Sequence, residues 1–499
     1  MGLVLSPGGI APSIPAESTL AKPPNRRAKR DRLCAASVPR VGGWRALWAG
    51  TLFFMDPIRV MEREFRRNGP LVAFEVPVRK TSVLFMIGAK YNREVLTRAD
   101  VARPTALWQV YGLPGSTQKE FRSSYLATHG KEHEALAAAV TPQLTKQEVM
   151  QRFDSIRNLS IETIERWPVG QTVDLYALIR QVAQRVSFKL LFGESDEARV
   201  RNFGALLERY HVMNWRLSGH FPRFDVPGCP YHTVLRTAER LAEFIDPWIA
   251  EQPCKARGKN IRAALAAIDT VEGAPLTREK LAGHFSFLGF AAYETMSSAL
   301  TWTLFLLALH PKVLADLVDE IEAAPPLESI DQERLAKQAL LNGVIRESMR
   351  LVPPTPTIPW RTVDHCEIAG LSLPPRTRIL LSPHLTHRMP EVFAEPMRFL
   401  PERWFSINPS PYEYFPFSAG PRRCPGALFG TEFLRVALTA IVRCYRVAVR
   451  PRAHVDYVYR GITMPKAGIP VTLARQDRRF SAADIRGSLL DLVMTGAPN

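Results

Sequence analysis

The stretch that most limits how this chain can fold is Leu281 to Leu309, "LAGHFSFLGFAAYETMSSALTWTLFLLAL", which carries a single formal charge, Glu294. A run of that length meets the requirement for a membrane span. Two features point instead to a helix at the centre of a large protein. The run follows a helix-start sequence, "LTREK", and a carboxylate near its middle would cost about 3 kcal/mol in hydrocarbon. A helix that is apolar on every side is buried by protein as well as by lipid. The reading adopted here is a buried central helix with no transmembrane anchor, and Glu294 becomes its most informative residue.

The rest of the chain supplies enough material to cover such a helix. Its 499 residues are 46% apolar and 23% charged, the balance of an ordinary globular protein. A net charge of +17 raises nucleic acid, an anionic membrane and acidic proteins as partners without choosing among them. No nucleic-acid-binding motif accompanies the charge, so no nucleic acid is expected. The six cysteines, at 34, 229, 254, 366, 424 and 444, have neither disulfide density nor zinc-site spacing, which suits a reducing cytoplasmic setting.

Residues 1–40 are rich in Pro, Ala and Ser and hold the basic cluster "RRAKRDR", Arg26–Arg32. They read as a disordered tail. The opening "MGLVLS" fits a myristoylation pattern, and a basic, acid-poor leader also fits an organelle transit peptide. Peripheral membrane association and organelle import therefore stand as alternatives to a soluble cytoplasmic protein. From about Val41 to 475 the chain reads as one domain, with 476–499 as a C-terminal tail. "DPIRVMEREFRRNG" predicts a helix closed by Gly69, and "PLVAFEVPV" and "TSVLFMIG" predict two short strands. Residues from about 140 to 352 are mainly helical and 352–403 strand-like. The fold class is mainly α with small β-sheets.

The chemistry concentrates in "YFPFSAGPRRCPGALFG", Tyr414 to Gly430. Pro425 and Gly426 follow Cys424. Leu434, Leu438, Ile441 and Val442 then recur at helical spacing. Cys424 is thus placed at or next to a helix N-cap, where free N–H groups and the helix dipole favour the thiolate. A thiolate in that position could be a nucleophile, a metal ligand or a redox group.

Phe417-x-x-Gly420-x-Arg422-x-Cys424-x-Gly426 resembles the haem-ligand loop of the cytochrome P-450 family, the haem-thiolate monooxygenases. The resemblance implies a large single-domain fold with a long helix over haem b and Cys424 as the thiolate on the iron. Phe417 would pack on the loop, Gly420 permit the turn, Arg422 meet a propionate, and Gly426 allow the next helix to approach. Glu347 and Arg350 in "NGVIRESMRLVPP", with Arg403 in "FLPERW", resemble the family's buried Glu-x-x-Arg network beneath the haem. "AAYET", Ala291 to Thr295, resembles its oxygen-activation motif, with Ala292 where glycine is usual. By that resemblance Glu294 and Thr295 relay protons to dioxygen. Arg361 matches an arginine that meets a propionate. His133 matches the first residue of a His-x-x-x-Arg pair whose second position is Ala137 here.

The implied activity is insertion of one oxygen atom from O2 into a small apolar substrate, with electrons from a separate ferredoxin- or flavodoxin-type protein. Arginines 422, 423, 435, 443 and 446 are the expected docking face. A family member that rearranges peroxides or dehydrates its substrate, and a catalytically silent haem-binding protein, are the alternatives. Trp108, Phe121, Trp215 and Phe221 are candidate pocket walls by the same resemblance.

Overall fold

A computed structural model of the chain describes residues 38–494 except 77–80, 101, 106–115, 123, 218–223, 251–259, 269, 272–273 and 327. The expected tail up to residue 37, Trp108 and Phe221 lie outside the described residues. The apolar run from Leu281 to Leu309 forms a single central helix, Arg278–Leu309. Thr277 caps its first turn by accepting the Lys280 N–H, and Pro311 opens the next helix just beyond its end.

Glycines let neighbours approach the central helix closely. A Cβ on Gly283 would stand 2.9 Å from Cα of Phe121, so the short helix Thr117–Arg122 can lie directly against it. Around it pack the flanking helix Leu175–Phe192, the helices Glu197–Leu217 and Pro230–Ala250, the network helix Ala339–Leu351 and the loop helix Ala427–Cys444. Among the described residues no single helix is long and apolar enough to cross a membrane. Only joined to Pro311–Glu322, across a bend of 113°, does the central helix meet that length and composition. Protein buries it instead.

A six-stranded sheet stands to one side. Its strands run in the order Arg40–Val41, Leu71–Val76, Thr81–Met86, Arg378–Leu381, Ile358–Thr362 and Ala102–Pro104. The two strands read from the sequence, Leu71–Val76 and Thr81–Met86, pair antiparallel within it. At the far edge the antiparallel register sets Arg103 opposite Arg361. Directly opposed residues share a face, so two cations from distant parts of the chain stand side by side. A second sheet joins Tyr445–Val449, Pro470–Arg475 and Thr172–Asp174.

The expected C-terminal tail from 476 is corrected by the structure. Ile485–Arg486 pairs with Ala453–His454, and the helix Ser488–Met494 buries Leu489, Leu492 and Val493 in the main core. A one-to-two-turn helix has no stability of its own. What it packs against, not its sequence period, holds it in place.

Candidate active site

Between Leu281 and Ala308 only Phe287, Ala291, Ala292 and Thr295 keep exposed surface. Their spacing puts them on one stripe of a helix that is otherwise buried, so the stripe faces an internal hollow. The Thr295 hydroxyl donates to the Ala291 carbonyl at 2.8 Å, which leaves its lone pairs for the hollow. Met296, the next residue, lies 3.7 Å from where a Cβ on Gly430 would sit. The first turn of the loop helix therefore meets the central helix beside that stripe.

Glu294 points elsewhere. Its carboxylate receives the Tyr176 hydroxyl of the flanking helix and stands 3.2 Å from Nε of Arg180. Arg180 in turn pairs with Glu208 at 2.8 Å, and Glu208 reaches solvent. Burial raises the Glu294 pKa, and the Arg180 charge opposes that rise. Adjacent in sequence, Glu294 and Thr295 thus face different partners: an ion-pair chain to the surface and the hollow.

The cysteine loop is held in an unusual backbone path. Gly420 has φ +70°, and a Cβ there would meet the Leu96 carbonyl oxygen at 2.1 Å. Only glycine fits both demands. The Cys424 N–H donates to the Phe417 carbonyl at 2.9 Å, and the half-buried Phe417 ring packs against the core. The helix N-cap is Gly426, so Cys424 lies two residues outside the helix rather than at its cap. A Cβ on Gly426 would be 3.8 Å from the Cys424 sulfur, an ordinary contact. No described protein atom therefore demands glycine at 426.

The Cys424 thiol departs from the sequence expectation. Its side chain keeps free surface, yet burial is the largest influence on it and pushes the thiol up, against the Gly426 amide and Arg423. The two facts agree when that surface faces an enclosed hollow rather than bulk water. A helix-end amide and one exposed arginine do not suffice to hold a bare thiolate there. A metal cation bonded to the sulfur would.

A cluster of cations borders the loop. Arg422 donates to the Thr128 carbonyl at 2.8 Å, and its pKa is lowered by burial and by Arg103. Arg103 is lowered by burial and by Arg361, and it contacts His129 Nδ1. Burial, Arg103, Arg361 and Arg422 all lower His129, with Glu132 the one opposing charge. Burial and Arg422 lower His133 to about 4, and its Nδ1 is buried without a partner. Three arginines crowded together with so little acid nearby form a site for an anion with more than one negative group.

This arrangement amends the reading of His133. The second polar residue at helical spacing lies four residues before it, at His129, not four after it at Ala137, and both belong to or cap the helix Gly130–Val140. Sequence reasoning missed His129 and Arg103. The signal for His129 was the i,i+4 histidine pair in "HGKEH", whereas Arg103 required the strand register.

The network expected around Glu347 assembles as read. Glu347 and Arg350, both at 0% exposure, pair through two contacts of 2.8 Å. Arg403 reaches Glu347 at 3.0 Å. Trp404 and the Leu400 N–H also donate to Glu347, at 3.0 Å. Arg350 spends its other donors on the carbonyls of His387, Pro396 and Arg398.

The expected arginine docking face is largely consumed inside the fold. Arg422 bonds Thr128, Arg435 pairs with Glu432, Arg443 donates to the Pro325 carbonyl and Arg446 pairs with Asp477. Arg423 alone of the five is exposed with no partner among the described residues. Phe121 and Trp215, the two described aromatics proposed as pocket walls, are core residues edge-on to Tyr210 and Tyr459.

Comparison with known proteins agrees with this layout. The family model described as cytochrome P-450 matches residues 42–473. Cytochrome P-450 139 of Mycobacterium tuberculosis is 26% identical over 392 residues, covering 76% of this chain and 88% of its own length. Cytochrome P-450 4V2 of Pongo abelii is 30% identical over 253 residues, 48% of either chain. A solved retinoic-acid-bound cyanobacterial CYP120A1 superposes with a TM-score of 0.72 at 20% identity, over 85% of this chain and 96% of that one.

Proposed function

The chain belongs to the cytochrome P-450 family, and from that premise we propose that it is a monooxygenase placing one oxygen atom into a small apolar substrate with electrons from a separate protein. Family membership makes it a haem-thiolate oxidoreductase with haem b as cofactor. The observation that carries the proposal is the pairing of the Cys424 loop with the acid-poor cluster of Arg103, Arg361, Arg422 and His129. A thiol that needs a cation and a basic cluster that needs two carboxylates fit an iron porphyrin with two propionates.

In this reading Cys424 ligates the iron, Gly420 and Phe417 fix the loop, and the arginines with His129 hold the propionates. The bound haem supplies the oxidising chemistry, with thiolate donation favouring O–O cleavage. Ala291, Ala292 and Phe287 exclude water from the substrate side of the hollow. Thr295 Oγ1, its own proton engaged by Ala291, accepts a hydrogen bond from water in the hollow. Glu294, aimed at Tyr176 and the Arg180–Glu208 ion pairs rather than into the hollow, ties the flanking helix to the central helix and so fixes the turn that presents Thr295. Glu347, Arg350 and Arg403 hold the floor on which the loop rests. Exposed Arg423, next to Cys424, supports approach of an acidic ferredoxin- or flavodoxin-type donor.

The absorption spectrum of the reduced, carbon-monoxide-bound protein tests the proposal. A strongly red-shifted Soret band, lost in Cys424→Ser, is expected; a histidine-type band in the unmodified protein would overturn it. NADPH-driven turnover with a surrogate redox chain then separates a monooxygenase from a silent haem-binding protein.

A further inference from the structure

His387 belongs to none of the groups described so far. It follows the short helix Pro383–Thr386, is fully buried, and sits where the Glu347 network meets the stem of the cysteine loop. Its carbonyl accepts from Arg350 at 3.0 Å, while its ring Nε2 accepts the Phe415 N–H at 3.0 Å. The ring also packs edge-on to Phe415 and against Tyr414, with centroids at 5.3 and 5.0 Å. An imidazole that accepts at Nε2 carries its proton at Nδ1, the side on which the Arg350 backbone stands as its acceptor. The buried Phe415 amide decides for the acceptor, since it would otherwise be orphaned.

Two further hydrogen bonds continue from this point. The Phe415 carbonyl accepts the Ser418 N–H at 2.9 Å, and the Phe417 carbonyl accepts the Cys424 N–H at 2.9 Å. Ser418 is itself left-handed, with φ +58°, so the turn between these bonds is strained and needs an anchor. The stem is pinned on its other side by Asn92, which donates to the Tyr412 carbonyl at 2.9 Å.

We infer that His387 is a positioning residue for Cys424: as a neutral acceptor on the Phe415 amide it anchors the hydrogen-bond sequence Phe415, Ser418, Phe417, Cys424 that presents the sulfur. The inference rests on the reading of Cys424 as haem ligand. It adds that the acceptor atom of residue 387, rather than its bulk, sets how durable that ligation is.

Two variants of the haem-loaded protein separate acceptor from bulk. His387→Gln places an amide oxygen about where Nε2 stood, and His387→Leu fills the space without an acceptor. In the reduced carbon-monoxide complex, His387→Leu should lose the thiolate-type Soret band roughly tenfold faster than the unmodified protein, the scale of one buried amide left unpaired. His387→Gln should restore the slower rate. Hydrogen exchange at the Phe415, Ser418 and Cys424 amides should accelerate in His387→Leu, with amides of the central helix unchanged. Equal band lifetimes in all three proteins, a Gln variant as labile as Leu, or uniform acceleration of exchange would each overturn the inference. If His387→Leu does not fold, His387→Asn, too short to reach Phe415, replaces it with the same expectations. Absence of the thiolate band from the unmodified protein would sink the ligand reading instead, and the exchange measurement would still decide the anchor.

Discussion

Glu347 takes five hydrogen bonds from Arg350, Arg403, Trp404 and the Leu400 amide. Replacing it by Gln keeps the shape but removes the charge that two buried guanidinium groups require. Removing one member of a buried ion pair typically costs about 3–5 kcal/mol, so Glu347→Gln should lower the unfolding free energy from urea titration by that amount and release haem. An unfolding free energy within about 0.5 kcal/mol of the unmodified protein would show the network to be solvated after all. At this scale the sequence was legible where spacing is local. Glu347 and Arg350 share a helix face three residues apart, and Phe417 to Gly426 lie on one loop. Arg103 was not legible, because only the register opposite Arg361 brings it to the site. The direction of Glu294 was not either, since a helix angle says where a side chain points but not which neighbour waits there.

At the scale of elements, the central helix and the first two strands could be read from period and composition, because burial on all sides or on one face leaves a pattern. The C-terminal helix Ser488–Met494 could not, because seven residues carry too little period to distinguish a helix from a tail. Its contacts explain why it forms. Arg388, half-buried and lowered to about 9 by burial and by Arg350, donates to the carbonyls of His384, Leu351 and Leu492. Those carbonyls lie near the C-terminal ends of three helices, where the backbone is negative and a cation is favoured. Arg59 reaches Asp491 at 2.8 Å across the same seam. Leu492→Ala should therefore cost about 2–5 kcal/mol in thermal unfolding, although Leu492 is far in sequence from the cysteine loop. Stability unchanged within about 0.5 kcal/mol would mean that the helix is docked without contributing to the fold.

For the molecule as a whole, histidines held inside the fold away from the cation cluster, His387 among them, weigh on its response to acid. Burial lowers His211 to about 3, and burial with Lys280 lowers His284 to about 4. Burial and Arg388 lower His384 to about 4, against the pull of Glu62 at 2.8 Å. Unfolding returns each imidazole to the ordinary value near 6.5. The unfolded chain therefore binds more protons than the native protein below that pH. The stability these groups contribute is complete above about pH 6.5 and is lost as pH falls toward 4, by about 1.4 kcal/mol per group and pH unit. His284 offers the cleanest test, since neither ring nitrogen has a partner and its removal breaks no hydrogen bond. Unfolding free energies from urea titration should fall between pH 6 and pH 4.5, and His284→Leu should reduce the slope of that fall by about one proton while leaving stability at pH 7.5 intact or higher. An unchanged slope in His284→Leu would mean that the imidazole is hydrated in the native protein. The helix that began as a candidate membrane span would then contain water beside Lys280.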